Sequence, residues 1–227
     1  MQVVIFAAGR GSRLMPLTKE LPKPMLEVCG IPILEHTFKS LPDSIDEVIL
    51  VVGYLNKKII DYFDTEYDSK KIKYVVQDEL LGTFNALNCA KPFLNKSKFL
   101  CLVGDDFYKK EDLKKLMETN LGFMVKKQDE LGRFSNCIED ENGNLMEITN
   151  DIEKQKENNL VFTGACVLDR DIFNEDIVVN KSGEQALPPM IVSLSKKRFV
   201  KVVHADFWCS VTTKGDIGRI ESVLNEL

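Results

Sequence analysis

The residues best suited to chemistry lie close to the N-terminus, in Ala7-Ala8-Gly9-Arg10-Gly11-Ser12-Arg13-Leu14, followed by Pro22-Lys23-Pro24. Glycines at 9 and 11 let the backbone approach a ligand closely and turn several N–H groups toward one anion. Arg13 adds a planar fork of donors that matches phosphate oxygens. Prolines on either side of Lys23 restrict where its ammonium can travel. These types suit a polyphosphate, although the same residues also fit a strand-to-helix turn carrying surface charges. Two familiar nucleotide motifs are excluded. A dinucleotide fingerprint needs a third glycine where Leu14 stands, and a P-loop needs Gly-Lys-Ser/Thr after a four-residue spacer.

Other reactive side chains offer less. Cys29, Cys89, Cys101, Cys137, Cys166 and Cys209 are scattered, with no C-x-x-C pair. That argues for reduced, structural thiols in a cytoplasmic protein. His36 and His204 lie far apart without ligand-like neighbours. A net charge of −5 excludes a broad basic surface for nucleic acid, while leaving room for a local basic pocket. No apolar run approaches the roughly 18 residues of a membrane span, and the N-terminus lacks a signal peptide's pattern.

A loop of this kind needs a rigid strand before it. Val3–Ala7 is the expected strand, and short apolar runs then alternate with amphipathic segments. Strands are expected at Glu47–Val52, Lys73–Gln77 and Phe99–Val103, and helices at Ile33–Ser40, Asn56–Phe63, Thr83–Ala90 and Glu111–Thr119. This alternation predicts βαβ units and an α/β fold, a doubly wound, mostly parallel sheet with helices on both faces. The second half reads as a small β region: strands at Gly122–Lys127, Arg133–Glu139, Val161–Leu168, Lys201–Ala205 and Phe207–Val211, then a closing helix over Asp216–Leu224. No Gly-, Ser- or Pro-rich linker interrupts the chain, so residues 1–227 are expected to form one domain with halves 1–120 and 121–227.

Taken together, GRGSRLMPLTKELPKPMLEVCGIPIL resembles the signature G-x-G-x-R-L-x-P-L-T-x-x-x-P-K-P-M-L of the sugar-phosphate nucleotidyltransferase family. The resemblance continues in order over most of the chain. It implies a Rossmann-like fold, with the nucleotide in the first half and the acceptor in the second. It also implies an EC 2.7.7-type reaction: an acceptor phosphate, most often a sugar 1-phosphate, attacks the α-phosphate of an NTP in line and releases pyrophosphate. Ala8, Gly9, Gly11 and Ser12 would then wrap the triphosphate, Arg13 would contact the departing pyrophosphate, and Lys23 would contact oxygens near the reacting phosphorus. Gln77-Asp78-Glu79-Leu80-Leu81-Gly82-Thr83 is similar to the element whose glutamine and glycine read the nucleobase. Gly104-Asp105-Asp106 resembles the strand-end G-D that holds Mg²⁺, with Asp105 as the ligand and Asp106 as its neighbour. Glu153-Lys154-Gln155 resembles the E-K-P element, which assigns the acceptor phosphate to Lys154. Phe162-Thr163-Gly164-Ala165 and Gly183-Glu184 match elements beside the sugar, adding Gly164 and Glu184.

The chain departs from the pattern in two places. Gln155 replaces a proline, with about three extra residues before it, so Lys156 competes with Lys154. In the W-x-D element near the C-terminus, Trp208-Cys209-Ser210 carries serine where the family has a second metal-binding aspartate. Asp206 is a candidate replacement, and the intact Arg13, Lys23 and Asp105 favour an active enzyme. The expected partners are an NTP and a phosphorylated metabolite, in a monomer or homodimer without the C-terminal β-helix of larger relatives. Two alternatives remain: a CTP-dependent cytidylyltransferase for phosphocholine or another alcohol phosphate, for which Trp208, Phe207 and Tyr108 could form a cage, and a nucleotide-binding regulatory subunit without turnover.

Overall fold

A computed structural model describes residues 1–180 and 183–226 of the chain. The strands, in chain order, begin with Gln2–Ala7 (β1), Glu27–Val28 (β2), Ile31–Pro32 (β3), Glu47–Val52 (β4), Glu66–Tyr67 (β5), Lys70–Val76 (β6) and Lys98–Val103 (β7). They continue with Asp106–Tyr108 (β8), Gly122–Lys127 (β9), Asn136–Glu139 (β10), Leu145–Thr149 (β11), Leu160–Asp169 (β12), Lys201–His204 (β13) and Trp208–Ser210 (β14). The helices are Ile33–Ser40 (α1), Asn56–Phe63 (α2), Thr83–Ala90 (α3), Lys110–Met117 (α4), Ile152–Glu157 (α5), Leu187–Ser195 (α6) and Lys214–Asn225 (α7).

β1 is buried along its whole length, as a strand covered on both faces must be. It pairs in parallel with β4 on one side and β7 on the other, and β6 extends the parallel set beyond β4. The full sheet runs β11-β10-β12-β7-β1-β4-β6-β5, with β9 joined to β12 and β13 to β9. The second half enters this same sheet through antiparallel pairing of β12 with β7, so the sheet is mixed around a parallel centre. Side chains alternate across it with the strand period of two. Val4, Phe6 and Cys101 face a core completed by α3 and α6, whereas Ile5, Leu50 and Leu102 face one completed by α1, α2 and α4. The chain moves outward from β1 through β4 to β6 and then returns to β7 on the other side of β1. That reversal opens a crevice beyond the carboxyl ends of β1 and β7.

The expected doubly wound half is present, and several of its element boundaries coincide with those read from sequence. Two helices of the second half were not expected. α6 begins Leu187-Pro188-Pro189, and prolines that read as breakers are tolerated in a first turn, where N–H groups lack intrahelical partners. α5 occupies a stretch that reads as a polar loop; Asp151 caps it by accepting from the Glu153 N–H at 2.9 Å.

Candidate active site

The crevice is a cleft of two adjoining chambers of about 280 and 520 Å³, which share Phe6, Gly9, Gly11, Ser12 and Asp105. The smaller chamber adds Arg13 and Lys23, and the larger adds Gln77, Gly82, Thr83 and Glu184. Residues drawn from five separate stretches of sequence thus face one space.

The loop after β1 is shaped by Gly11, whose φ of +61° lies in the left-handed region. A β-carbon there would come within 2.8 Å of Lys23 Cβ, so only glycine lets the loop and Lys23 pack this closely. Thr18 braces the loop by donating to the Gly11 carbonyl at 2.9 Å. Lys23 Nζ lies 2.5 Å from Asp105 Oδ2, and both side chains are partly buried. Burial works against the lysine's charge, but Asp105 and then Asp106 outweigh it and raise its pKa.

Asp106 opens the short antiparallel ladder of β8 and β14, directly opposite Ser210. Its carboxylate is buried and accepts from Trp208 Nε1 at 2.9 Å. Burial, reinforced by the charge of Asp105, pushes its pKa up to about 8 against the pull of Lys23, Ser210 and Trp208. Asp206 is not in this group. Its carboxylate is bound to Lys115 at 2.6 Å and is largely exposed.

Gln77 is almost wholly buried at the end of β6. Its amide nitrogen donates to the Gly82 carbonyl at 3.1 Å and to Asn85 Oδ1 at 2.8 Å. A carbonyl can only accept, so this contact fixes the amide orientation and leaves Gln77 Oε1 as the atom available for a ligand. Gly82 has φ +104°, and a β-carbon would lie 2.7 Å from the Gln185 carbonyl oxygen. That close approach is a stitch between segments: Gln185 N–H donates to Leu81 O at 2.6 Å and Phe84 N–H to Gln185 O at 2.8 Å. The Leu187 N–H adds a bond to Thr83 Oγ1 at 2.9 Å. Glu184 is thereby carried from the second half into the cleft beside Gln77.

Three expected residues lie elsewhere. Ala8 is buried beneath the loop, where its carbonyl accepts from the Tyr54 N–H at 3.1 Å and its side chain packs into the core. Gly164 sits behind the cleft wall against Val103 and the Tyr108 hydroxyl, inside a register shift of β12. Lys154 lines neither chamber; its ammonium binds Glu147 at 2.8 Å, at a separate cavity to which Glu147 and Asn150 belong. The helix α5, absent from the sequence-based expectation, is what carries Lys154 to Glu147. Sequence reasoning missed Thr212, which lines the smaller chamber. The capping-box pattern Thr213-x-x-Asp216 was the available signal for that turn.

Among the described residues, no group of three or more His, Cys, Asp or Glu forms a ready-made metal cage. The donor set still fits a hard cation held largely by phosphate and water, because Asp105 presents a carboxylate to the cleft.

A doubly wound α/β protein with a glycine loop, a lysine and a carboxylate at its switch point is built to handle a phosphorylated ligand. The comparisons with known proteins agree. A nucleotidyl transferase family model matches residues 2–226. The bifunctional protein GlmU of Methanocaldococcus jannaschii is 33% identical over 220 residues, covering 96% of this chain and 52% of the relative. The UTP–glucose-1-phosphate uridylyltransferase AglF of Haloferax volcanii is 34% identical over 230 residues, covering 92% of this chain and 89% of the relative. A solved UDP-glucose pyrophosphorylase complexed with UDP-glucose superposes with a TM-score of 0.83 at 17% identity, over 99% of this chain and 98% of that one. The chain belongs to the nucleotidyl transferase family. It spans about half the length of the GlmU relatives that it matches.

Proposed function

We propose that the protein transfers a nucleoside monophosphate from an NTP to a sugar 1-phosphate, yielding an NDP-sugar and pyrophosphate. The observation that carries this reading is the convergence of Gly11, Arg13, Lys23 and Asp105 on one chamber that opens directly onto the Gln77–Gly82 chamber. In such a reaction an anion attacks an anion, so catalysis is mostly positioning and charge neutralisation. The loop amides and Arg13 hold the β- and γ-phosphates. Lys23, restrained by its prolines, neutralises charge on the α-phosphate as the acceptor oxygen attacks. Gln77 Oε1 accepts from an N–H on the edge of the base, and Glu184 accepts from sugar hydroxyls. Asp105 would hold Mg²⁺, which when bound would supply electrostatic stabilisation of phosphate negative charge. The continuous sheet supports reading residues 1–227 as one catalytic domain. Among the described residues, no helix is long and apolar enough to cross a membrane, in keeping with a cytoplasmic site of action.

One relative named above is a UTP–glucose-1-phosphate uridylyltransferase, which favours a sugar acceptor. A choline cage is disfavoured by packing: Trp208 and Tyr108 are buried, and the Tyr108 hydroxyl is spent on the Thr163 carbonyl at 2.9 Å. The test is a pyrophosphate-release screen with Mg²⁺, pairing each of five NTPs with sugar 1-phosphates, phosphocholine and other alcohol phosphates. Turnover confined to sugar 1-phosphates supports the reading. Turnover only with CTP and an alcohol phosphate refutes the acceptor assignment, and nucleotide binding without turnover on any pair refutes the activity.

A further inference from the structure

We propose that Arg10 is a further nucleotide-binding residue: its guanidinium, seated on the Tyr54 ring, forms a platform on which the nucleobase stacks. The proposal rests on the transferase reading for the identity of the ligand. Position 10 is one that the signature G-x-G-x-R leaves open, so the resemblance assigns this arginine no role.

Arg10 is exposed and stands at the boundary between two spaces. It lines the larger chamber with Gln77, Leu80 and Gly82. It also lines a cavity of about 240 Å³ beyond that chamber, to which Tyr54 and Asn56 belong and Gly82 and Glu184 do not. Tyr54 therefore lies on one side of Arg10 and the nucleotide chamber on the other. The guanidinium carbon is 5.9 Å from the centre of the Tyr54 ring, within reach of a cation–π contact. The ring itself is fixed. The Tyr54 hydroxyl donates to carbonyls at the far end of the glycine loop, Lys19 at 2.9 Å and Thr18 at 3.1 Å. Its N–H donates to the Ala8 carbonyl at the near end. A long exposed side chain loses rotamer freedom when a ligand orders it, and a seat that already restrains Arg10 lowers that cost.

Arg10 does not line the smaller chamber, where Arg13, Lys23 and Asp105 meet, so it faces the nucleoside and not the outer phosphates. A guanidinium is planar, more weakly hydrated than an ammonium, and stacks on aromatic faces. With one face on Tyr54, the other is left for a base. Every base has such a face, so the stack adds affinity without choosing among bases, while Gln77 Oε1 reads the edge.

The test is calorimetric titration of the purified protein, with Mg²⁺ and no acceptor, using ATP, GTP, CTP, UTP and dTTP and, separately, inorganic tripolyphosphate. Tripolyphosphate reports on the phosphate chamber alone, so the comparison isolates the nucleoside. Arg10→Ala should weaken each nucleoside triphosphate that the wild type binds by about 2–30-fold, the span of a cation–π contact from exposed to desolvated, and leave tripolyphosphate unchanged. Arg10→Lys keeps the charge without the plane and should lose as much. Tyr54→Leu should also weaken the nucleotides, and adding Arg10→Ala to it should cost little more, because residues in contact are not additive. Wild-type affinity in Arg10→Ala or Arg10→Lys would overturn the proposal. Equal losses for tripolyphosphate and nucleotides in Arg10→Ala would do so too, by placing the guanidinium on the phosphates, as would additive losses in the double variant. A wild type that binds no nucleoside triphosphate would take the transferase reading down as well, whereas the other adverse results remove the stack alone.

Discussion

Lys23 and Asp105 neutralise each other across 2.5 Å, so neither charge stands alone in a partly buried cleft. An incoming phosphate competes with Asp105 for the same ammonium, and the proposed chemistry depends on that exchange. Lys23→Ala should therefore lower kcat about 10²–10³-fold, the cost of removing one positioned group that stabilises transition-state charge. Steady-state pyrophosphate release measures it, and an unchanged kcat would remove Lys23 from the mechanism. In the proposed reaction Gln77 acts differently, through one neutral hydrogen bond to the base. Gln77→Ala should raise KM for the NTP up to about tenfold while kcat changes less, since such a bond is worth about 0.5–1.5 kcal/mol. The same assay across an NTP concentration series separates the two parameters.

At the scale of elements, the last helix decides how the C-terminal residues meet the cleft. Asp216 at the start of α7 accepts from the Thr212 and Thr213 N–H groups at 2.9 and 2.7 Å, and from Arg133 at 2.7 Å. It thereby fixes Thr212, a lining residue, to a strand connection of the second half. Burial opposes its charge, but Arg133 and the two backbone donors outweigh burial and hold the carboxyl well below the usual range. With a folded pKa below the unfolded value of about 3.9, its contribution is full above that value and is lost as pH falls through the folded pKa. Asp216→Asn should cost about 1–3 kcal/mol at pH 7, and the difference from wild type should shrink at pH 3. Urea denaturation at the two pH values tests this. A constant difference would mean that the carboxylate's charge is not what holds the helix start.

For the whole molecule, the cation and the fold are separable. Both faces of the sheet are covered by apolar side chains that need no ligand, with Val4, Ile5, Leu50, Cys101 and Leu102 fully buried. EDTA should abolish pyrophosphate release and leave the circular dichroism spectrum unchanged, with activity restored by excess Mg²⁺. Loss of secondary structure on chelation would show the cation to be part of the fold. The strand order sets where chemistry can happen, because the loops leaving β1 and β7 diverge only at their shared carboxyl end.

The sequence by itself determined the parts governed by local rules. Glycine and proline restrict the backbone in the Gly9–Lys23 stretch, and β-branched runs alternating with amphipathic segments define the doubly wound half. The motifs Gln77–Thr83 and Gly104-Asp105 were legible for the same reason, since short-range backbone geometry carries them. Tertiary structure alone decided what depends on distant partners. It set Asp106 against Ser210, tied Gln185 to Leu81 and Phe84 so that Glu184 enters the cleft, and joined Arg133 to Asp216. It also turned Lys154 onto Glu147 and buried Ala8 beneath its loop. Apart from Lys154 and Glu147, these contacts join residues far apart in the chain, and no spacing or periodicity encodes them; packing of the two halves on one sheet does.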